Sequence, residues 1–481
     1  MLPMPERVTT QDESVLEAAA AGAPVPGLIV VFSAQTPMYR LLPLVPGVSH
    51  VVGRESLGGI TVPDERVSRQ HAELCWSPGT DGVLTIRDLQ SRNGVFVDGK
   101  RVEGQARARV GSVVRLAQTI LVVFDDLRRF YGGHIETEGG VVGPTLKQAL
   151  DRAASAARSA THLVGHGETG SGKERMAKAF HAAVGAKAPL ITVNCMQVQA
   201  TLAPSLFFGV QGGVATNVKA GVGYLAAADG GVLFLDEIAE LSPEIQGQLL
   251  RAVETGEVLP VGATTPIKVS VRIVAASHKE LRREVDEGRF RRDLFHRLFQ
   301  SQVTIPALRE RKEELPWLMQ HAVAGQNVTL HASVVEEALL RPWPGNVREL
   351  LSATRMAASD ALQDLENKDH RVRSKHLSAD AGKAAAPILI SGSPPPPPRP
   401  PPPPSGNGSG SFPAAKPSRE EVEEALKKTG GNKSATARLL NIAPRNRTQL
   451  YRLIKEYGLQ GPSETSADED DEGEGEGGGE S

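Results

Sequence analysis

Three groups of residues in this 481-residue chain have the types and spacing to handle phosphate. The first, Gly167-Glu168-Thr169-Gly170-Ser171-Gly172-Lys173-Glu174, fits G-x-x-x-x-G-K between an apolar HLVG segment and the helical ERMAKAFHAAV. Glycines there let backbone N–H groups wrap phosphates, the following helix start adds positive potential, and the lysine reaches the outer phosphates. Downstream, the apolar Val232-Leu-Phe-Leu235 ends in Asp236-Glu237. The first carboxylate suits magnesium, and the second can polarise a water for attack on a γ-phosphate. The second group is Gly53-Arg54, Ser68-Arg69-x-His71 and Ser91-Arg92-Asn93-Gly94. A guanidinium, a hydroxyl and an amide brought to one loop end suit a doubly charged phosphate on a peptide. The third, Arg445-Asn446-Arg447-Thr448-Gln449 with Arg452, has donors for base edges and nucleic-acid phosphates.

Such groups need elements to hold them, and the chain has three textures. Residues 28–125 carry short alternating segments (LIVVF, VLTIRDL, GVFV, SVVRL, TILVVF) broken by Gly, Pro and Asp-Gly, the pattern of an all-β sandwich. Residues 135–380 alternate helical stretches with compact strands (HLVG, LITVN, GVLFLDE, VRIVAAS), the pattern of an α/β parallel sheet. The two regions are expected to fold separately. Residues 417–460 open with a capping box, Ser418-x-x-Glu421, and follow with helix-turn-helix spacing. Between them, residues 381–416 hold the run PPPPPRPPPPP and SGNGSGS, a spacer. Residues 1–27 read as a weakly ordered leader, and 461–481 as an acidic, unfolded tail.

The first texture with its GR, SRxH and NG groups resembles the forkhead-associated (FHA) domain. That resemblance implies that Arg54 and Ser68 bind the phosphate of a phosphothreonine, with Arg69 and Arg92 in support, while Asn93 holds the peptide backbone. His71 is expected to brace the loop carrying Ser68. The loop ending in Gly172-Lys173-Glu174 resembles the AAA+ ATPase, with helical lid, of sigma-54-dependent transcriptional activators. Further blocks follow in family order: ITVNC, ADGGVLFLDEI, VRIVAASHKEL, GRFRRDLFHRL, PALRER and RPWPGNVREL. The resemblance implies ATP with Mg2+, held by residues 167–174 and Asp236, and Glu237 as the catalytic base. It further implies that Ser277 and His278 sense phosphate, that Arg291 and Arg297 reach a neighbouring subunit's γ-phosphate, and that Arg348 senses nucleotide in its own subunit. An arginine supplied in trans implies a homo-oligomeric ring, such as a hexamer. The last texture is similar to the Fis-type DNA-binding end of the same activators.

The family's GAFTGA loop, which touches sigma-54, is altered: Gly213-Val-Ala-Thr-Asn-Val218 stands in its place. Thr216 is kept, whereas Ala215 replaces the aromatic and Asn217 the second glycine. The resulting expectation is a bacterial regulator that senses phosphothreonine on a partner or on its own segment, hydrolyses ATP and binds DNA, with RNA polymerase and sigma-54 as the machinery acted on. Two alternatives stay open: action on another polymerase form or protein, and a phosphopeptide-binding scaffold with a vestigial ATPase. Net charge is -2 with 54 basic and 56 acidic side chains, which excludes a uniformly basic nucleic-acid coat. Two cysteines exclude a disulfide scaffold, and no run approaches the about 18 apolar residues of a membrane helix. A reducing cytoplasm is therefore expected, with no membrane partner.

Overall fold

Gly, Pro and Asp-Gly turns break residues 27–124 into eleven strands in the computed structural model. It describes residues 23–383 except 56–58, 78–81, 138–139, 160, 186 and 213–220, and, further on, 418–429, 436, 439–440, 454 and 456–457. The strands are β1 (Gly27–Ser33), β2 (Thr36–Pro43), β3 (Ser49–Gly53), β4 (Ile60–Thr61), β5 (Ala72–Trp76), β6 (Val83–Asp88), β7 (Val95–Val97), β8 (Lys100–Arg101), β9 (Gln105–Arg109), β10 (Val113–Leu116) and β11 (Thr119–Phe124). They form two facing sheets, ordered β2-β1-β11-β10-β7-β8 and β4-β3-β5-β6-β9. Between the sheets lie Leu28, Val30, Leu74, Trp76, Leu84, Ile86, Leu121 and Val123.

The opposite face of the first sheet is buried as well. Ile29, Val31, Tyr39, Leu41, Ile120, Val122 and Phe124 share one core with Leu315, Leu318, Met319, Val334, Val335 and Leu339, which belong to the following α/β region. Every position of β1 and of β11 is therefore buried. This corrects the expectation of separate folding. The unbroken runs LIVVF and TILVVF already carry the reason, because a sandwich strand covered on one face alone alternates apolar with polar. Residues 1–388 form one unit and residues 389–481 another. The sandwich also starts earlier than expected: Val25 is buried, and Leu127 donates its N–H to the Val25 carbonyl at 2.7 Å.

The α/β region is built on β12 (His162–His166), β13 (Leu190–Asn194), β14 (Val232–Asp236), a small hairpin of β15 (Glu257–Val258) and β16 (Ile267–Lys268), β17 (Arg272–Ser277) and β18 (Gln302–Thr304). The central sheet runs β13-β14-β17-β12-β18, and all of its pairings are parallel. In an open parallel sheet, ligands bind beyond the carboxyl ends of the strands. The phosphate loop, Asp236-Glu237 and Ser277-His278 all follow such ends. The helices that bear on function are α1 (Pro144–Ser159), α2 (Lys173–Val184), α3 (Arg292–Leu298), and the lid helices α4 (Leu315–Ala322), α5 (Ala332–Leu339) and α6 (Asn346–Gln363). The chain stays tied to the lid past residue 380: Gly382 accepts from the Trp343 N–H at 2.9 Å and donates to Glu349 at 2.8 Å. No described helix is long and apolar enough to cross a membrane.

In the C-terminal unit, α7 (Arg419–Lys428) opens with the expected capping box: Ser418 Oγ accepts from the Glu421 N–H at 3.3 Å, and Glu421 accepts from the Ser418 N–H at 2.8 Å. Val422 is buried against Leu426, Leu440, Ile454 and Tyr457.

Candidate functional site

Gly170 and Gly172 take φ values of 75° and 111°, the left-handed region open to glycine. They turn the chain from β12 into α2 so that the helix starts at Lys173. Lys173 is buried, and its ammonium donates to the Gly167 carbonyl at 3.1 Å and to Glu237 Oε1 at 2.9 Å. The other Glu237 oxygen accepts from the His278 backbone N–H at 3.1 Å and from the His278 ring at 2.6 Å. Glu237 itself sits at φ 55°. A left-handed glutamate directly after a strand costs free energy, and such strain gathers at functional sites. Burial pushes the Glu237 carboxyl up, but the hydrogen bonds from Lys173 and His278 outweigh it and hold the group below its ordinary value. It is ionised at neutral pH, as a base must be.

Asp236 behaves in the opposite sense. Burial raises its carboxyl above the ordinary value, against the pull of Lys173. Its Oδ1 is buried without a partner among the described residues, as is the Ser171 hydroxyl in the loop. Unpaired buried oxygen beside a phosphate-binding loop fits a divalent cation carried in with a nucleotide. Ser277 is buried and caps the next turn, its Oγ accepting from the Lys279 N–H at 2.9 Å. Glu174, expected among the nucleotide-binding residues, instead points to solvent and pairs with Lys178 at 2.8 Å, one helical turn away.

The lid closes on the other side of the loop. Glu168 receives both arms of Arg309, at 2.9 and 2.7 Å, and Thr169 lies beneath Asn346. Arg311, fully buried and paired with Glu314 at 2.8 Å, donates to the Ser171 carbonyl at 2.8 Å. Sequence reading missed Arg309, Arg311 and Asn346. They lie some 140 to 180 positions away in the chain, and although the blocks PALRER and RPWPGNVREL contain them, neither block gave them a role. Arg348 is exposed on the first turn of α6. Arg291, just before α3, and Arg297, on it, are exposed, and Arg291 pairs with Asp293 at 2.8 Å. Neither bonds to the phosphate loop among the described residues.

A second cluster gathers at one end of the sandwich. The Arg54 N–H donates to the Ser68 carbonyl at 3.0 Å, the Arg92 N–H to Ser68 Oγ at 3.2 Å, and the Asn93 amide to the Arg66 carbonyl at 2.7 Å. Arg54, Arg69, Arg92 and Asn93 are exposed. A Cβ on Gly53 would collide with the Arg69 backbone, which accounts for glycine before Arg54. His71 is buried; its Nδ1 accepts from the Ser68 N–H at 3.0 Å, so Nε2 carries the proton and donates to the Gly94 carbonyl at 3.2 Å. Burial lowers its pKa, which keeps the ring neutral. The histidine thus sets the loop that presents Ser68. Asp64, absent from the expected site, anchors the same loop through the N–H groups of Arg66 at 3.0 Å and Gln118 at 3.1 Å.

The altered loop, Gly213 to Val218, and the third group, Arg445, Asn446, Arg447, Thr448, Gln449 and Arg452, lie outside the described residues. Residues 141–304 match the family model of the sigma-54 interaction domain, residues 50–117 that of the FHA domain, and residues 418–457 that of the bacterial regulatory proteins of the Fis family. The transcriptional regulatory protein ZraR of Salmonella typhimurium is 35% identical over 328 residues, covering 66% of this chain and 68% of its own. The acetoin catabolism regulatory protein of Cupriavidus necator is 36% identical over 339 residues; the match takes in 66% of this chain and 46% of that protein. The Nif-specific regulatory protein of Azotobacter vinelandii is 34% identical over 364 residues, 71% of this chain and 66% of its own.

Proposed function

The chain belongs to the family of sigma-54-interacting transcriptional activators, with that family's ATPase domain beside an FHA domain and a Fis-type helix-turn-helix, and from this membership we propose a phosphothreonine-responsive, ATP-driven transcription regulator that works as a ring. The observation that carries the ATPase part is the buried set Lys173, Glu237 and His278 at the carboxyl edge of the sheet. Bound ATP with magnesium supplies the scissile phosphoanhydride and the charge that Asp236 would hold. Without it, Lys173 and Glu237 neutralise each other. With nucleotide in the loop, Lys173 turns to the phosphates, and Glu237 is left to His278, which keeps its carboxylate aimed and ionised for a water. The exposed Arg291 and Arg297 would serve a neighbouring subunit, Arg291 by leaving Asp293, and Arg348 stands where the lid meets the loop.

Support for the phosphothreonine part is the gathering of Arg54, Ser68, Arg92 and Asn93 at one end of the sandwich, with the Ser68 loop braced by His71. The sandwich shares its core with the lid, so occupancy of that face bears on the same body that closes the nucleotide loop. The C-terminal unit would hold the protein to DNA through Arg445, Asn446, Arg447, Thr448, Gln449 and Arg452. One observation favours a second reading: Ala215 and Asn217 remove the aromatic anchor and a glycine from the loop that would meet sigma-54. In that reading, hydrolysis acts on another polymerase form or another protein.

Two measurements test the proposal. Glu237→Gln is expected to keep ATP binding while phosphate release falls by about a hundredfold or more; parent turnover in this variant removes Glu237 as the base. Promoter melting by sigma-54 polymerase, with the parent and with Ala215→Phe, separates the two readings. Melting by the parent supports direct action on sigma-54, and melting by Ala215→Phe alone supports the second.

A further inference from the structure

Asn346 is fully buried, yet its backbone sits at φ 52°, and its amide is shared among three segments. Oδ1 accepts from the Leu308 N–H at 2.8 Å. Nδ2 donates to Glu168 Oε2 at 3.0 Å, to the Thr169 carbonyl at 3.1 Å and to the Pro344 carbonyl at 3.2 Å. The next N–H, that of Val347, donates to the Gly170 carbonyl at 3.2 Å. With Arg309 on Glu168 and Arg311 on the Ser171 carbonyl, each of four consecutive loop residues is held from the lid side.

The direction of these bonds matters. In a planar trans peptide, C=O and the following N–H point opposite ways. Holding the Thr169, Gly170 and Ser171 carbonyls against the lid turns the N–H groups of Gly170, Ser171 and Gly172 away from it. The Ser171 N–H is used within the loop, on the Glu168 carbonyl at 3.2 Å. Those of Gly170 and Gly172 have no partner among the described residues. A Cβ on Gly170 would run into the Gly345 carbonyl and lie 3.2 Å from the Arg348 Cβ, so the lid backbone is seated directly on the loop. The left-handed turn at Asn346 brings it there; asparagine is one of the few residues with a side chain that tolerates this conformation.

We propose that Asn346 is a positioning residue for ATP hydrolysis: by holding the Glu168 carboxylate and the Thr169 carbonyl it aims the Gly170 N–H at the phosphates, as Arg311 on the Ser171 carbonyl does for the Gly172 N–H, and it ties closure of the lid to the shape of the loop. The proposal rests on the ATPase reading of residues 167–173. It differs from a packing role in what it demands, namely a defect in nucleotide affinity that depends on the partner Glu168.

The test uses the full chain. Asn346→Gly keeps the left-handed turn without strain and deletes the amide. Its KM for ATP, and its Kd for a non-hydrolysable ATP analogue, are expected to rise about tenfold, the cost of one or two lost hydrogen bonds to a charged or loop group. Its kcat is expected to change by less than about threefold, because Lys173 and Glu237 are untouched. Asn346→Asp sets a second carboxylate beside Glu168 and is expected to weaken affinity further. Adding Glu168→Gln to it removes the clash of two carboxylates and restores the 168–346 hydrogen bond, so part of the affinity lost in Asn346→Asp should return, while the Thr169 carbonyl stays without its donor. Parent KM in Asn346→Gly, a loss confined to kcat, or no recovery in the Asn346→Asp, Glu168→Gln pair would each overturn the proposal. Absence of ATP turnover in the parent would instead overturn the ATPase reading on which it stands.

Discussion

His71 shows how a buried side chain ties function to pH. Its ring is held neutral because Nδ1 must accept from the Ser68 N–H, and burial lowers its pKa from 6.5. The unfolded chain therefore binds the proton more readily. The stabilisation is complete above about pH 6.5 and is lost as pH falls below it, by up to about 1.4 kcal/mol per pH unit until the folded value is reached. Urea unfolding of the parent and of His71→Asn at pH 7.5 and 5.5 should show the steeper loss in the parent; equal pH slopes would remove the role given to the ring. Lys173 and Glu237 form a buried ion pair, with both side chains almost completely enclosed. Lys173→Met leaves the Glu237 carboxylate without its ammonium and is expected to cost about 3–5 kcal/mol in addition to ATP binding. Adding Glu237→Gln should return most of that stability, because the uncompensated charge is gone. Additive losses in the double variant would contradict the pairing.

At the scale of elements, the seam between sandwich and lid is the feature with most consequence. Apart from its apolar core, it is closed by Arg115, which donates to Glu336 at 2.6 Å while its guanidinium lies 3.7 Å over the Phe96 ring. Lys312 donates to the Gly111 carbonyl at 2.7 Å, and Gln118 meets His331 at 3.1 Å. Arg115→Ala would leave Glu336 buried with neither oxygen paired, since its Oε1 already has no partner among the described residues. A loss of about 3 kcal/mol in the unfolding free energy is expected. A fragment of residues 23–125 would expose Ile29, Val31, Ile120 and Val122 as one apolar patch. Such a fragment should self-associate in sedimentation, while residues 23–383 should not form disordered aggregates. A stable monomeric 23–125 would show that the shared core is dispensable.

For the whole molecule, the near-balanced charge is a sum over unlike parts. Residues 417–460 hold nine basic and five acidic side chains, and nine acids follow residue 460. The proposed ring makes a mixing prediction. If Arg297 acts on a neighbour, then Arg297→Ala and Glu237→Gln subunits, each inactive alone, should regain part of the parent ATP turnover when combined, because some interfaces then pair an intact arginine with an intact base. No recovery at any ratio would point to an arginine acting within its own subunit. The seam makes a second prediction. A phosphothreonine peptide should bind with a different Kd when the ATP analogue is present, and the analogue should shift by the same factor when the peptide is present. Identical affinities would mean that the lid does not carry the signal.

The sequence by itself determined the elements and the chemistry each could hold. The phosphate loop between β12 and α2, the acids ending β14, the arginine and serine groups at strand ends, and the capping box of α7 are local patterns, set by backbone conformation and by residues a few positions apart. It also held, in the unbroken runs of β1 and β11, a sign that both faces were covered, although nothing in the runs said by what. The tertiary structure alone decided that the lid covers that face and that Arg309, Arg311 and Asn346 grip the phosphate loop. These pairings join residues some 140 to 180 positions apart, and partners at that separation are chosen by three-dimensional packing and by the need to satisfy each buried polar group, which no local spacing encodes.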